Sequence, residues 1–249
     1  MFRWDIVWHF LFQDPNLFFL QAAWTTLWIS VVAQAFGVLI GLFLALMNMS
    51  RFPWLKAPAE AYIWFFRGSP LLVQVLLLWD GLPRLTHILL SATACVLVAF
   101  SLNEGAYMAE IIRAAITSVD RGQMEAARAL GMRYSLAMRR IVLPQAARVI
   151  VPPLGNEFNN MLKTTSIGSV IGLYDLTGSA EIYGSQAFVI FELLIVATVY
   201  YLILTTLWTF VQHWLENRLD PDRVRVDTTL IEEKSLTQRL VGIGSSQKR

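Results

Sequence analysis

The feature that most constrains this chain is the apolar run from Gln21 to Asn48, which contains no charged residue. About 20 apolar residues are enough to cross a bilayer as a helix. Only 15% of the 249 residues are charged and 56% are hydrophobic, whereas soluble domains usually have about 25% charged residues. The sequence therefore predicts an all-α membrane protein.

Four further segments have the composition of membrane spans. They lie at about Ala61–Trp79, Ile88–Ile112, Val149–Leu173 and Ala187–Leu215. We predict about five transmembrane helices in a domain over residues 21–215, with a polar insertion at about 118–144 between spans three and four. Residues 1–20 are expected to form an extracytoplasmic or interfacial segment in which tryptophans anchor an amphipathic helix. Residues 216–249 are expected to form a polar cytoplasmic tail.

The distribution of basic residues predicts the orientation of the spans. With the N-terminus outside, the predicted outer segments hold only Arg3 and Arg84. The inner side then collects the C-terminal tail together with Arg51, Lys56, Arg67, Arg113, Arg121, Arg128, Arg133, Arg139, Arg140 and Arg148. Cytoplasmic loops of membrane proteins carry an excess of Lys and Arg. The sequence therefore predicts a multi-pass protein of the bacterial inner membrane, with its N-terminus outside and its C-terminus in the cytoplasm.

The polar insertion has the pattern of two short helices joined by a turn. Asp120 is a candidate N-cap, and the residues after it favour a helix. Gly131 is expected to end that helix in a left-handed turn. A second helix is expected from Tyr134 to Ile141, broken at Pro144. From the residues alone, the simplest interpretation is a basic loop at the surface of the membrane lipid.

Several kinds of chemistry are missing from the sequence. It has no phosphate-binding G-x-x-x-x-G-K-[ST] loop and no nucleophile elbow. His9, His87 and His213 are far apart in the sequence, and Cys95 is the only cysteine, so we expect no metal site and no cofactor. We predict that the chain is not an enzyme. The predicted topology accounts for the basic residues, so no nucleic-acid partner is expected.

The stretch "EAARALGMRYSLAMRRIVLP" (Glu125–Pro144) resembles the EAA signature of ABC-importer permease subunits. The Glu125-Ala126-Ala127 triplet is followed after three residues by Gly131, and nine residues later by Ile141-Val142-Leu143-Pro144. Three other stretches resemble the polar amino acid subfamily of these permeases. They are "FFRGSPLLVQ" (Phe65–Gln74), "SLNEGAYMAEIIRAAI" (Ser101–Ile116) and "PPLGNEFNNMLKTTS" (Pro152–Ser166).

The resemblance implies a type I importer fold in which the polar insertion is a coupling helix. It implies cytoplasmic ATP-binding subunits as partners, a second permease subunit that is identical or different, and an extracytoplasmic solute-binding protein. Glu125, Ala126, Ala127 and Gly131 are then the candidates for coupling to the ATPase. ATP would be bound and hydrolysed by the partner subunit.

Ionisable residues inside membrane spans are costly and are treated as candidate functional groups. In span four, Asn156, Asn159, Asn160 and Lys163 fall at i, i+3, i+4 and i+7, with Glu157 and Thr164 at the margin of that face. In span three, Asn103, Glu104 and Tyr107 lie within about one turn.

We expect Lys163, with Asn156 and Asn159, to bind the carboxylate of an amino acid. Glu104 or Glu157 is expected to accept hydrogen bonds from the ammonium group of the same amino acid. The alternative for each residue is a hydrogen bond that holds two helices together. Lys163 also has Glu157 and Glu192 as candidate ion-pair partners.

Two further residues are candidates for the substrate path. Arg67 is either a membrane-interface anchor or a contact for a carboxylate, and Gly68 and Pro70 after it predict an unwound helix start. Gln74 is the second candidate, and it is the last residue of the "FFRGSPLLVQ" stretch that contains Arg67. Glu110 with Arg113 is expected to form a structural pair, and Glu192 is expected to be a polar packing residue.

The sequence departs from the resemblance at two positions. Many relatives have an acid after the lysine where this chain has Thr164, and many have a small residue where Glu104 stands. The chain is thus expected to be the permease subunit of an ATP-driven importer for a polar amino acid or a related small zwitterion. A self-contained channel or secondary transporter is the alternative, and the ligand itself stays open.

Overall fold

The computed structural model describes residues 2–13 and 17–219, and the regular elements within those ranges are all helices. The prediction of an all-α fold is confirmed, whereas the predicted tail from residue 220 lies outside the described residues. The helices are α1 (Trp4–Trp8), α2 (Phe18–Asn48), α3 (Pro53–Gly68), α4 (Leu71–Leu76), α5 (Leu82–Thr86), α6 (Ala92–Ser118), α7 (Arg121–Ala129), α8 (Tyr134–Ala137), α9 (Leu143–Thr164), α10 (Leu176–Ala187) and α11 (Ile190–Leu219).

Within the described ranges, three helices are long and apolar enough to cross a membrane, namely α2, α6 and α11. A fourth span is possible if α3 and the Leu71–Thr86 segment count together, although they are bent by 105°. The fourth span predicted from the sequence corresponds to α9. It does not meet the same criterion of apolar length, and it carries Arg148, Glu157 and Lys163.

Helices α2 and α6 run parallel. They approach closely because glycines at their crossing have no side chains. A Cβ atom on Gly37 would lie 2.4 Å from Glu104 Cγ, and one on Gly41 would lie 2.4 Å from Met108 Cβ. A Cβ atom on Gly105 would in turn lie 2.5 Å from Ile40 Cγ2. Gly37 and Gly41 form a G-x-x-x-G pair, the spacing that lets membrane helices approach closely.

The predicted break at Gly68 and Pro70 is confirmed, because α3 ends at Gly68 and α4 begins after Pro70. Two amide side chains satisfy the carbonyls that this break frees. Gln74 Nε2 donates to the carbonyls of Phe66 (2.9 Å) and Ser69 (3.1 Å). Asn103 Nδ2 donates to Phe66 O (3.0 Å) and to Gln74 Oε1 (3.0 Å), which ties the break to α6.

At the end of α6 opposite α7, a buried carboxylate organises the start of α10. Asp175 is fully buried, and its Oδ1 accepts from Gly178 N at 2.8 Å as a helix cap. Its Oδ2 accepts from the Tyr201 hydroxyl at 2.9 Å. Burial raises the pKa of the Asp175 carboxyl, against the effect of these hydrogen bonds. Glu192 also lies here and accepts from Arg3 N at 3.0 Å, so its predicted packing role is confirmed.

The helix–turn–helix is confirmed, with one correction. Asp120 Oδ1 accepts from Gly122 N at 2.7 Å, as predicted for the N-cap of α7. Gly131 has φ +80°, with bonds from Met132 N to Ala127 O (3.1 Å) and from Gly131 N to Arg128 O (3.0 Å). These are the two hydrogen bonds of a Schellman turn.

The break predicted at Pro144 is wrong. The chain passes from α8 through a π-helical turn at Met138–Val142 directly into α9. Pro144 therefore lies inside a continuous helical path, where it lacks the amide hydrogen for one helix hydrogen bond, directly after the π-helical turn. The Gln145 side chain also donates to Ile141 O at 2.9 Å.

Candidate functional site

The candidate site is a cavity of about 420 Å³ between α6 and α9, called here the α6–α9 cavity. It brings together most of the polar residues that were predicted for the substrate path in spans three and four. Its polar lining consists of Asn103, Glu104, Tyr107, Glu157, Asn160, Lys163 and Thr164, and its apolar lining of Leu71, Phe100, Met161 and Ile167. Carboxylate, ammonium, amide and hydroxyl groups therefore face one space.

Glu104 is held in place by α2. Its side chain is only 4% exposed, and its Oε1 accepts from Gln34 Nε2 at 2.8 Å. Gly37 lies one turn farther along α2 and provides the space for the Glu104 side chain. Gln34 was not among the predicted site residues, although it is a polar residue within an uncharged run of α2. The G-x-x-x-G spacing that begins at Gly37 was not predicted either.

The packing of α9 against α11 determines which polar residues of α9 face the cavity. Trp208 Nε1 donates to Gly155 O at 2.8 Å, and Gln212 lies where a side chain on Gly155 would be. Asn156 faces the same neighbour, because its Oδ1 accepts from Gln212 Nε2 at 3.2 Å. Of the predicted path residues on α9, Glu157, Lys163 and Thr164 line the cavity, whereas Asn156 and Asn159 do not.

Arg67 lies beside the cavity rather than in its lining. Because α3 begins at Pro53, Arg67 is on the last turn of that helix and not near its start, as the predicted span boundary placed it. Its guanidinium carbon is 5.4 Å from the ring centre of Tyr107, which lines the cavity. Its Nη1 is 3.9 Å from Glu110 Oε2. Arg113 Nη2 is 2.9 Å from the same oxygen, so the predicted Glu110–Arg113 pair is confirmed.

The charged groups of the cavity are not neutralised by ion pairs with one another. The ion pairs found in residues 2–13 and 17–219 involve Arg3, Lys56, Arg67 and Arg113, and none includes Lys163, Glu104 or Glu157. The side chain of Lys163 is exposed and lines the cavity. Its suggested pairing with Glu157 or Glu192 is therefore not seen in the structure.

Helix α7 presents a surface at one end of the bundle. Glu125 and Ala126 are exposed, whereas Ala127 is 1% exposed and packs inward. Leu130, just before the Gly131 turn, is 83% exposed.

Comparison with known proteins decides the family. Residues 37–221 match the model of the "binding-protein-dependent transport system inner membrane component". The chain belongs to this family. Its members are multi-pass membrane components of ABC importers, and ATP hydrolysis resides on a separate subunit. Membership also implies ATP-binding subunits and a substrate-binding protein as partners.

Individual relatives agree with this assignment. The chain is 37% identical over 246 residues to the arginine transport system permease protein ArgU of Corynebacterium glutamicum, covering 91% of this chain and 75% of the relative. It is 39% identical over 208 residues to a putative glutamine transport system permease protein GlnP of Rickettsia bellii, covering 84% and 95%. A crystal structure of an amino acid ABC transporter with histidines matches with TM-score 0.79 and 42% identity, covering 84% of this chain and 98% of that one.

Proposed function

We propose that this permease subunit moves a polar amino acid through the α6–α9 cavity. The cavity supplies the two charges that the ligand requires. Lys163 offers an ammonium group for the ligand's carboxylate, while Glu104 and Glu157 offer acceptors for its ammonium. The ligand class is supported by the three similar proteins reported above, which are named for arginine, glutamine or amino acid transport.

The observation that carries the mechanism is the way both walls of the cavity join the α7–α8 element. Helix α6 ends at Ser118 and α7 begins at Arg121, so only two residues link one wall of the cavity to α7. On the other side, α8 continues through the Met138–Val142 turn into α9 without a loop. A displacement of α7 is therefore transmitted to the helix that carries Glu104 and to the helix that carries Glu157. This is the connection that alternating access requires.

In this proposal α7 is the coupling helix, and it docks on a cytoplasmic ATP-binding subunit through the exposed side chains of Glu125, Ala126 and Leu130. The Gly131 turn fixes the angle between α7 and α8. The excess of basic residues near α7 supports an N-terminus outside and a C-terminus in the cytoplasm. A second permease subunit, identical or different, completes the path, and a solute-binding protein delivers the amino acid from outside.

Reconstitution tests this function. The chain is co-purified with its ATP-binding subunit and solute-binding protein and placed in proteoliposomes, and uptake of labelled arginine, lysine, histidine, glutamine and glutamate is measured. We expect uptake of at least one of them to require both ATP and the binding protein. Uptake by this chain alone without ATP would instead show a channel or a secondary transporter.

A matched pair of variants tests the docking surface. Leu130→Glu places a charge on the exposed end of α7, whereas Leu89→Glu makes the same change in the loop at the opposite end of α6. Both leucines are more than 80% exposed, so neither change costs packing within the chain. We expect Leu130→Glu alone to prevent co-purification of the ATP-binding subunit. Equal recovery of that subunit with both variants would contradict the proposed docking surface.

A further inference from the structure

One buried side chain of α2 contacts a residue of the α6–α9 cavity without lining the cavity itself. Gln34 is only 6% exposed and is not part of the cavity lining. Its Nε2 donates to Glu104 Oε1 at 2.8 Å and also lies 3.7 Å from Met108 Sδ, as a second and weaker contact. The amide nitrogen of Gln34 is therefore directed at α6, and its main partner is a carboxylate of the cavity.

The other end of the same amide is left without a partner. Within the part of the chain that the structure describes, Gln34 Oε1 is fully enclosed and accepts no hydrogen bond. Burying an unpaired amide oxygen is unfavourable, and an apolar side chain of similar length would avoid that cost. Packing between α2 and α6 therefore does not explain a glutamine at this position. The property that glutamine adds is a donor for the Glu104 carboxylate, which can only accept.

Glu104 is restrained by α2 at two points. A Cβ atom on Gly37 would lie 2.7 Å from Glu104 Cβ and 2.4 Å from Glu104 Cγ, so the stem of the glutamate lies directly against the α2 backbone. One turn earlier on α2, Gln34 holds the Oε1 atom. Residues 2–13 and 17–219 provide no hydrogen bond for Oε2, and this atom is not fully enclosed. Because Glu104 lines the cavity, Oε2 is the oxygen that a ligand can reach.

We infer that Gln34 is a positioning residue of the transport site, which holds Glu104 Oε1 so that Oε2 is presented to the ligand in one orientation. This inference rests on the proposed function and adds a residue to its site. A glutamate side chain has several rotatable bonds, and a binding group must be held within about 0.5 Å of its productive position. Many related permeases have a small residue where Glu104 stands, so the role belongs to chains with an acid at this position.

The first test removes the donor. Gln34→Met keeps the length of the side chain and has no amide, whereas Gln34→Asn keeps an amide that is one methylene too short to reach Glu104. Binding of arginine, lysine, histidine, glutamine and glutamate to the complex of the permease with its ATP-binding subunit, without the solute-binding protein, is measured by calorimetry. We expect both variants to raise the dissociation constant of the tightest of these ligands about tenfold, as for the loss of one hydrogen bond to a charged group.

A double-mutant cycle separates positioning from packing. If Gln34 acts through Glu104, then in a Glu104→Ala background Gln34→Met should change the dissociation constant less than about twofold. A packing role predicts the same factor in both backgrounds. Thr26→Val is the matched control, because Thr26 is also buried in α2 and its Oγ1 accepts from Leu176 N at 3.3 Å, outside the cavity lining. It should lower the melting temperature and leave the dissociation constant unchanged.

The conformation of Glu104 gives a readout that does not depend on measurable binding. In a cryo-EM map of the complex, we expect Glu104 to occupy one rotamer in the wild type and more than one in Gln34→Met. An unchanged single rotamer, wild-type affinity of Gln34→Met, or equal factors in the two backgrounds would overturn the inference. Each of these results leaves ATP-dependent uptake of an amino acid, and with it the proposed function, intact. Absence of uptake of any amino acid by the wild-type transporter would instead refute the proposed function.

Discussion

The substitution Gly41→Ala tests the close approach of α2 and α6, on which the position of Glu104 depends. The added Cβ would lie 2.4 Å from Met108 Cβ, 2.8 Å from Ala109 N and 2.9 Å from Met108 C. Carbon atoms in ordinary contact are about 3.5–4.0 Å apart. Two of the three clashing atoms belong to the backbone, so a change of side-chain rotamer does not relieve the contact. The helices must separate by about 1 Å at this crossing.

Overpacking of this kind costs about 1–3 kcal/mol. In a chain of this size, 1 kcal/mol corresponds to roughly 2–4 °C in melting temperature, so we expect a decrease of about 2–12 °C. The separation also affects the site, because Gln34 lies two turns away on α2 and holds Glu104. Affinity for the transported amino acid should therefore fall together with stability.

The assay is thermal unfolding of the purified protein in detergent, followed by tryptophan fluorescence. Gly68→Ala is the matched control, since no atom lies within 4 Å of the added Cβ. It should leave the melting temperature unchanged or raise it, because alanine is favoured over glycine in a helix. If the two variants melt at the same temperature, the close α2–α6 crossing is not present in the protein.

Three further predictions concern other parts of the chain. Gly131→Ala forces a side chain into the left-handed turn at a cost of about 1–2 kcal/mol, and we expect ligand-stimulated ATPase activity to fall while ligand affinity is retained. Asp175→Asn keeps the helix cap and removes the buried charge. Because burial raises the pKa of Asp175 in the folded chain above its unfolded value, the wild type should gain stability relative to this variant as the pH is lowered from neutral toward the ordinary range of a carboxyl group, measured as the difference in melting temperature. Trp208→Phe removes the hydrogen bond to Gly155 O, and we expect a loss of about 0.5–1.5 kcal/mol in stability in the same unfolding assay.

Much of the helical pattern was predictable because local signals and structure agree. The run from Gln21 to Asn48 became α2 with an N-terminal shift of three residues, and Asp120 and Gly131 delimit the α7 region as predicted. These features depend on hydrophobic length, capping and backbone conformation. All three can be read from neighbouring residues.

The rotation of α9 about its own axis was not predictable from the spacing of its residues. The pattern placed Asn156 and Asn159 on the cavity face together with Lys163. In the structure Asn156 contacts Gln212 of α11. Asn160 and Lys163 line the cavity as the pattern predicted, together with Glu157, which the pattern placed at the margin of that face. Which face of a polar helix turns toward which neighbour depends on contacts with residues about 50 positions away in the sequence, and a local pattern does not contain them.

The roles of Gln74 and Asn103 show a similar limit. Both were predicted to line the substrate path, and the structure gives each a hydrogen bond at the break between α3 and α4. Asn103 also lines the cavity, so it connects the broken helix to the site. The sequence indicated the break through Gly68 and Pro70. It did not indicate that these amides would satisfy the carbonyls freed by that break.

The central claim is that the partner ATPases change access to the α6–α9 cavity through α7. The most direct measurement is the labelling of a single cysteine at Thr164 by a membrane-impermeant maleimide, in the complete transporter with Cys95→Ser. Cys95 is buried in the structure. We expect the reagent added from outside to label the cysteine faster when the ATPases are trapped with ATP and vanadate than when they are free of nucleotide. Equal labelling rates in the two states would contradict the account.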